Sequence, residues 1–207
     1  TAQQQAKNIQ RGRCKMELLN PLISEYTWAN KPSVAPLGQI ICVTDVGENG
    51  SLWRGNGTKW VRLSQILFYD LTAAVALTGT TVETTLVTLT IPAGLIGSNG
   101  KVKLYPLWST TNNANTKTLR VKFPSNTVYT APASNTVHVT GLVIIRNLGS
   151  ESVQRVSSGI LAGLGGTTTS IAWTTVNTSA ATTITVTGQL ANSADTMTLE
   201  SIFVEIV

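Results

Sequence analysis

Residues 87–123 read VTLTIPAGLIGSNGKVKLYPLWSTTNNANTKTLRVKF, and their alternation decides the fold class. Val87, Leu89 and Ile91 alternate with Thr88 and Thr90, the period-two pattern of a strand with one buried face. Pro92-Ala93-Gly94 ends that strand. Asn99-Gly100 is a turn signal, after which Val102 and Leu104 alternate with Lys101, Lys103 and Tyr105. A polar loop, Ser109 to Lys117, leads to Leu119, Val121 and Phe123 alternating with Thr118, Arg120 and Lys122. Three half-buried strands in under forty residues, with no helical periodicity between them, point to a β-sandwich.

Outward from this stretch the pattern continues. Val137 to Thr140, Leu142 to Asn147, Ser170 to Val176, Ala181 to Thr187 and Met197 to Val207 are further strand candidates. About eight strands separated by turn clusters over residues 66–207 imply a sandwich of jelly-roll type. Leu161 to Gly166 is glycine-rich and reads as a loop. The 32 threonines among 207 residues agree with this, because Thr is β-branched and keeps a solvent-facing strand position polar without charge.

Residues 26–65 read as a small β unit. Pro32 and Pro36 keep its start extended. Gln39 to Thr44, Ser51 to Arg54 and Lys59 to Leu63 are short strands around the turns Asn49-Gly50 and Asn56-Gly57. So few strands bury too little to stand alone, so Trp53 and Trp60 are expected to pack between subunits or against the main domain.

Residues 1–25 differ from both. Thr1 to Met16 is compatible with a short helix, but Gly12 and Pro21 interrupt a weak periodicity. Ile9, Met16, Leu18, Leu19, Leu22 and Ile23 supply apolar contacts, and Arg11 and Arg13 supply charge. The segment cannot form a core by itself, so it is expected to be an arm that anchors on another protein. Lys7, Arg11, Arg13 and Lys15 against Glu17 give residues 1–24 a net charge of +3, whereas residues 70–207 carry only +1. An acidic protein surface suits such an arm better than nucleic acid, which calls for denser Lys/Arg and interleaved aromatics.

Charged residues are 12% of the chain, about half the usual share, while mean hydropathy is positive. That balance excludes disorder and implies surface covered by other subunits. No run approaches the roughly 18 apolar residues of a membrane span. Thr1 to Gln10 has no apolar signal core. Cys14 and Cys42 match no metal or redox spacing and are expected to be reduced thiols. The expectation is a protein made in a reducing cytoplasm, with no membrane and no nucleic-acid partner.

Catalysis finds little support. His138 is the only histidine and sits in a strand candidate, and no GxSxG elbow occurs. Gly163 to Gly166 lacks the Gly-Lys-Ser/Thr ending of a phosphate loop. No cofactor, metal ligand set or catalytic residue is assigned. One binding reading stays open: Trp108 beside Asn112 and Asn113 would stack on a host surface glycan while the amides bond hydroxyls. The alternative is that Trp108 is core and the asparagines satisfy the loop backbone.

The run Ile91 to Phe123 resembles a domain widespread in tailed-phage and prophage virion proteins. The resembling elements are Ile91-Pro92-Ala93-Gly94, Gly97-Ser98-Asn99-Gly100, Trp108-Ser109, Asn112-Asn113-Ala114-Asn115 and Lys117 to Val121, in that order, followed by the closing strand Met197 to Val207. Gly38 to Leu63 is similar to short β units of phage fibres and spikes, where a VTD strand precedes a GNGTxW strand. The resemblance implies a virion structural protein, and with no catalytic residue assigned the chain is expected not to be an enzyme. The resemblance also implies a homotrimer that attaches to a capsid or tail protein by its N-terminal part and projects a C-terminal β-sandwich. A head fibre or capsid decoration protein suits the small size better than a tail fibre. A carbohydrate-binding module is the alternative.

Overall fold

The computed structural model describes residues 23–47, 50–63, 66–156 and 172–207, and every regular element among them is a β-strand. The chain divides into two compact units at Tyr69–Asp70.

In the first unit β1 (Ser24–Tyr26) runs parallel to β2 (Ile40–Val43). Then β3 (Ser51–Gly55) and β4 (Trp60–Arg62) continue antiparallel, giving a sheet in the order β1-β2-β3-β4. Its core is small: Ala35, Ile41, Cys42, Val43, Val46 and Trp53 are buried. Trp53 packs within its own unit. Its ring lies 4.9 Å from that of Trp28, and its Nε1 donates to Ser51 Oγ at 2.8 Å. Trp60 also stays local, donating from Nε1 to the Pro32 carbonyl at 2.7 Å. The expectation that Trp53 packs outside the unit is corrected, since the ring is buried within it; Trp60 is half-buried. The turn at Asn56 forms because its Oδ1 accepts from the N–H groups of Thr58 and Lys59, while Gly57 takes the positive φ of 94°.

Strand β5 (Ile66–Asp70) spans the division. The second unit holds β6 (Val75–Thr78), β7 (Thr84–Ile91), β8 (Lys101–Thr110), β9 (Lys117–Phe123), β10 (Asn126–Ala133), β11 (His138–Thr140), β12 (Val143–Asn147), β13 (Gln154–Val156), β14 (Ala172–Thr174), β15 (Thr182–Leu190) and β16 (Thr196–Ile206). One sheet contains the run β6-β16-β8-β12 and the other is β7-β15-β9-β10. Successive strands of this set alternate between the sheets, except for the β9–β10 hairpin. That is the strand order of a jelly roll, two interlocked Greek keys. Strands β13 and β14 extend the first sheet beyond β12, and β11 pairs with β8 alongside β12.

Alternation fills the space between the sheets. Leu119, Val121 and Phe123 of β9 and Ile184, Val186 and Leu190 of β15 meet Val102, Leu104 and Trp108 of β8 and Met197, Leu199, Ile202, Val204 and Ile206 of β16, all buried. A register shift between Leu199 and Ser201 lets Leu199 and Ile202, three residues apart, both face inward. Pro106 sits in the central strand β8 without disturbing the ladder to β16. Its carbonyl accepts from Gly141 N–H at 3.1 Å, so its missing N–H points to the same side, where β12 and β11 part.

Candidate interaction face

The two outer faces of the jelly roll differ in chemistry. On the β7-β15-β9-β10 sheet the register sets Thr88 beside Thr185 and Thr185 beside Lys122, and it sets Thr90 beside Thr183. Glu83 binds Lys122 at 2.7 Å and Arg120 at 3.4 Å and accepts from Thr187 Oγ1 at 2.5 Å. This is a solvated polar face. The Lys122 hydrogen bond, with that of Thr187, holds the Glu83 carboxyl below its ordinary range despite some desolvation. The folded state therefore binds fewer protons than the unfolded one. The stabilisation is present above the ordinary carboxylate range near pH ~4 and is lost as pH falls through it toward the lowered folded value. Glu83→Gln should flatten that part of a curve of unfolding free energy against pH by less than about 1 kcal/mol, since the pair is solvent-screened.

The outer face of the other sheet is mixed. Successive rows across β12, β8 and β16 read Ile144-Lys103-Glu205, then Tyr105-Phe203, then Leu107-Ser201, with Thr140 of β11 beside Leu107. Tyr105 and Phe203 stack at 4.3 Å between centroids and 14° between planes. Lys103 pairs with Glu205 at 3.7 Å, and Tyr105 donates its hydroxyl to the same carboxylate at 3.3 Å. Desolvation first, then the Glu205 charge, raises the Tyr105 phenol. Leu107 is 39% exposed beside this stack. An aromatic pair, an exposed leucine and an ion pair on one outward face can bury against protein; the threonine face lacks that apolar content.

The next row sets His138 opposite Ser109, with Thr198 on the other side and Glu200 carried by the bulge. The Ser109 hydroxyl donates to the Glu200 carboxylate, not to the imidazole. Its proton is therefore directed away from the base that a Ser-His relay needs. Among the described residues no group of three or more His, Cys, Asp or Glu could hold a metal ion, and no helix is long and apolar enough to cross a membrane.

Of the glycan candidates, Trp108 is fully buried, paired in register with Val139 and Leu199. It has no free face for a sugar, which corrects the stacking expectation. Asn112 is exposed. Asn113 is committed to protein partners, donating from Nδ2 to Asp195 Oδ1, in the loop before β16, at 2.7 Å and accepting at Oδ1 from Asn115 N–H of its own loop at 3.0 Å. Of the anchoring residues, Ile23 is half-buried just before β1. Ile9, Arg11, Arg13, Met16, Leu18, Leu19 and Leu22 lie outside the described residues, as do the short helix over Thr1 to Met16, Cys14 and the 161–166 loop.

Sequence reasoning passed over two features. Tyr105 shares the outward parity of Lys101 and Lys103; an aromatic among the polar positions of a strand is the signal that marks a contact face. Lys117 was read as the end of a polar loop, yet it is fully buried at the start of β9. Its inward parity with Leu119 and Val121 was the available clue. In the first unit, Lys31 lies 3.8 Å over the Trp28 ring, and Arg62 lies 5.9 Å from the Trp53 ring. Burial pushes the Arg62 guanidinium down to about 10, and its Nη1 has no hydrogen-bond partner.

These observations define the class of protein as an all-β jelly-roll sandwich joined to a small four-stranded sheet. No protein family and no curated protein matches the chain by sequence. Among solved structures it is similar to dimeric latent PorU from Porphyromonas gingivalis, at 10% identity over 70% of this chain and 13% of that one, with a TM-score of 0.33. It is also similar to two structures of infectious bursal disease virus. For the Gx strain the identity is 11% over 76% of this chain and 41% of that one, with a TM-score of 0.28. For the VP2 subviral particle the identity is 10% over 72% and 42%, with a TM-score of 0.26. The chain spans less than half the length of each, and likenesses this distant carry no functional argument.

Proposed function

We propose that this chain is a structural subunit of a tailed-phage particle: a short homotrimeric fibre or decoration protein, of the head rather than the tail, that works by assembly and not by catalysis. Its N-terminal segment anchors on a capsid or tail protein, and its jelly roll projects outward. The observation that carries the assembly reading is the outward patch of Tyr105, Phe203 and Leu107 over two adjacent rows, on strands whose opposite faces already fill the core. The virion assignment rests on the resemblance of Ile91 to Phe123 to tailed-phage virion domains. The glycan-module reading loses its stacking residue with Trp108 buried.

Sedimentation of the full chain tests the proposal. A trimer is expected at micromolar concentration. Leu107→Asp, at an exposed position, should shift the equilibrium toward monomer while the unfolding free energy of the isolated chain changes by no more than about 0.5 kcal/mol. A wild-type chain that remains monomeric across the accessible concentration range would remove the trimer. Electron microscopy of particles carrying a labelled chain reads head against tail, and absence from both would end the virion assignment.

A further inference from the structure

At one end of the sandwich, four groups from a short loop, a strand start and the approach to β16 form a closed cycle. Lys117 opens β9 facing inward, between the buried Leu190 of β15 and Ala133 of β10 in register. Its Nζ reaches past these apolar neighbours to Asn113 Oδ1, to the Asn115 carbonyl at 2.8 Å, and to Asp195 Oδ2 at 3.5 Å. Asn113 Nδ2 donates to the other Asp195 oxygen, Oδ1, at 2.7 Å. The Asn115 backbone N–H donates to Asn113 Oδ1 at 3.0 Å. Lys117 and Asp195 are both buried, and Asp195 Oδ2 accepts no hydrogen bond meeting ordinary geometry.

Each group has a distinct chemical part. Lys117 is an amine held against a primary carboxamide. Asp195 bridges them, one oxygen toward the amine and one on the amide nitrogen. The Asn115 N–H points at the oxygen where negative charge would develop if the carboxamide were attacked, as an oxyanion donor does. Fixing amine and carboxamide side by side, with Lys117 and Asp195 both buried, lowers the entropic part of the barrier to amide exchange. A buried ammonium is also an expensive group to keep, and a neutral amide in its place relieves that penalty.

We propose that Lys117 and Asn113 join spontaneously through an intramolecular amide bond, with Asp195 as the proton carrier. Asp195 Oδ2 takes a proton from the ammonium, and the neutral Nζ attacks Asn113 Cγ. The carbonyl π pair moves onto Oδ1, toward the Asn115 N–H. Asp195 then passes a proton to Nδ2. The Cγ–Nδ2 bond breaks, the carbonyl re-forms, and the departing ammonia takes the second proton from Nζ and leaves as an ammonium ion. Ammonium plus carboxamide becomes secondary amide plus an ammonium ion, so no oxidant or co-reactant is needed. That ion leaves through the half-buried Asn113 loop. The bond locks the loop that joins β8 to β9, and it does so whether or not the chain assembles.

Intact-mass spectrometry of the full chain, purified folded and then denatured, is the test. The expected mass is one ammonia below the sequence mass, with tryptic cleavage blocked after Lys117. Lys117→Arg and Asn113→Ala should each restore the mass of their own sequence, and Asp195→Ala should leave the bond unformed. The unreduced sequence mass in the wild type overturns the proposal and leaves a hydrogen-bonded buried ion pair. Loss of water instead of ammonia overturns it in favour of an amide to Asp195. Loss of ammonia that persists in Lys117→Arg overturns it in favour of a succinimide at an asparagine. An intact bond in Asp195→Ala overturns the role given to Asp195.

Discussion

Trp108→Ala should destabilise the jelly roll by about 3–5 kcal/mol, the range for emptying a buried aromatic site. For a unit of this size that is a fall in Tm of roughly 10–25 °C. The ring is fully buried in β8, the strand that carries β16 on one side and β12 and β11 on the other. Collapse around the hole is resisted because both neighbouring ladders are hydrogen-bonded and the β16 register is already fixed by its bulge. Trp108→Phe should lose far less. The buried indole Nε1 has no hydrogen-bond partner, so its removal also removes a desolvated donor. Thermal unfolding followed by near-UV circular dichroism separates the two variants. A Trp108→Ala chain that melts with the wild type would place the ring outside the core and reopen the sugar-stacking reading.

The jelly roll was legible wherever a strand alternates. Strands β7, β8, β9, β12, β15 and β16 follow directly from Val87-Leu89-Ile91, Val102-Leu104, Leu119-Val121-Phe123 and their partners, because each packs one face into the core. Strand β10 was not legible. Pro132 and the adjacent buried pair Val128 and Tyr129 break the alternation. The structure accommodates both, since β10 is an edge strand and a register shift between Thr127 and Tyr129 turns both residues inward. The three-residue strands β1 and β13 are too short to show a period. Gln154, which opens β13, is held by partners distant in sequence. It bonds Asn147 Oδ1 at 2.9 Å and both backbone groups of Val176 at 2.8 Å, so its burial is a tertiary fact that no local pattern announces.

The contact face was half legible for a related reason. Parity shows that Tyr105 points outward, but only register shows that Phe203 lies beside it. The same holds for the covalent proposal. Asn113, Asn115 and Lys117 are neighbours in sequence, whereas Asp195 completes the cycle from seventy-eight residues beyond Lys117, through the loop that leads into β16.

Gly55→Ala should abolish the folded state of the first unit while leaving the jelly roll intact. A Cβ at this position would lie 2.0 Å from the Pro36 carbonyl oxygen and 2.8 Å from the Ala35 carbonyl carbon. Both obstacles are backbone. Neither can recede, because Gly38 N–H donates to the Gly55 carbonyl at 2.9 Å and Gly55 N–H donates to the Gln39 carbonyl at 2.8 Å, clamping the two segments together. Gly188→Ala is the useful contrast: its nearest obstacle is the flexible Met197 Cε at 2.3 Å, which can swing aside. Relieving the Gly55 clash would mean breaking both clamp bonds and withdrawing Ala35 from a core of about six buried residues. The penalty should exceed ~4 kcal/mol, more than a four-stranded sheet of this size has in reserve. Trp28, Trp53 and Trp60 report on this unit, so Gly55→Ala should red-shift tryptophan emission before heating and still show a cooperative melt from the second unit. A wild-type emission maximum in Gly55→Ala would mean that the Ala35–Pro36 segment does not lie against β3.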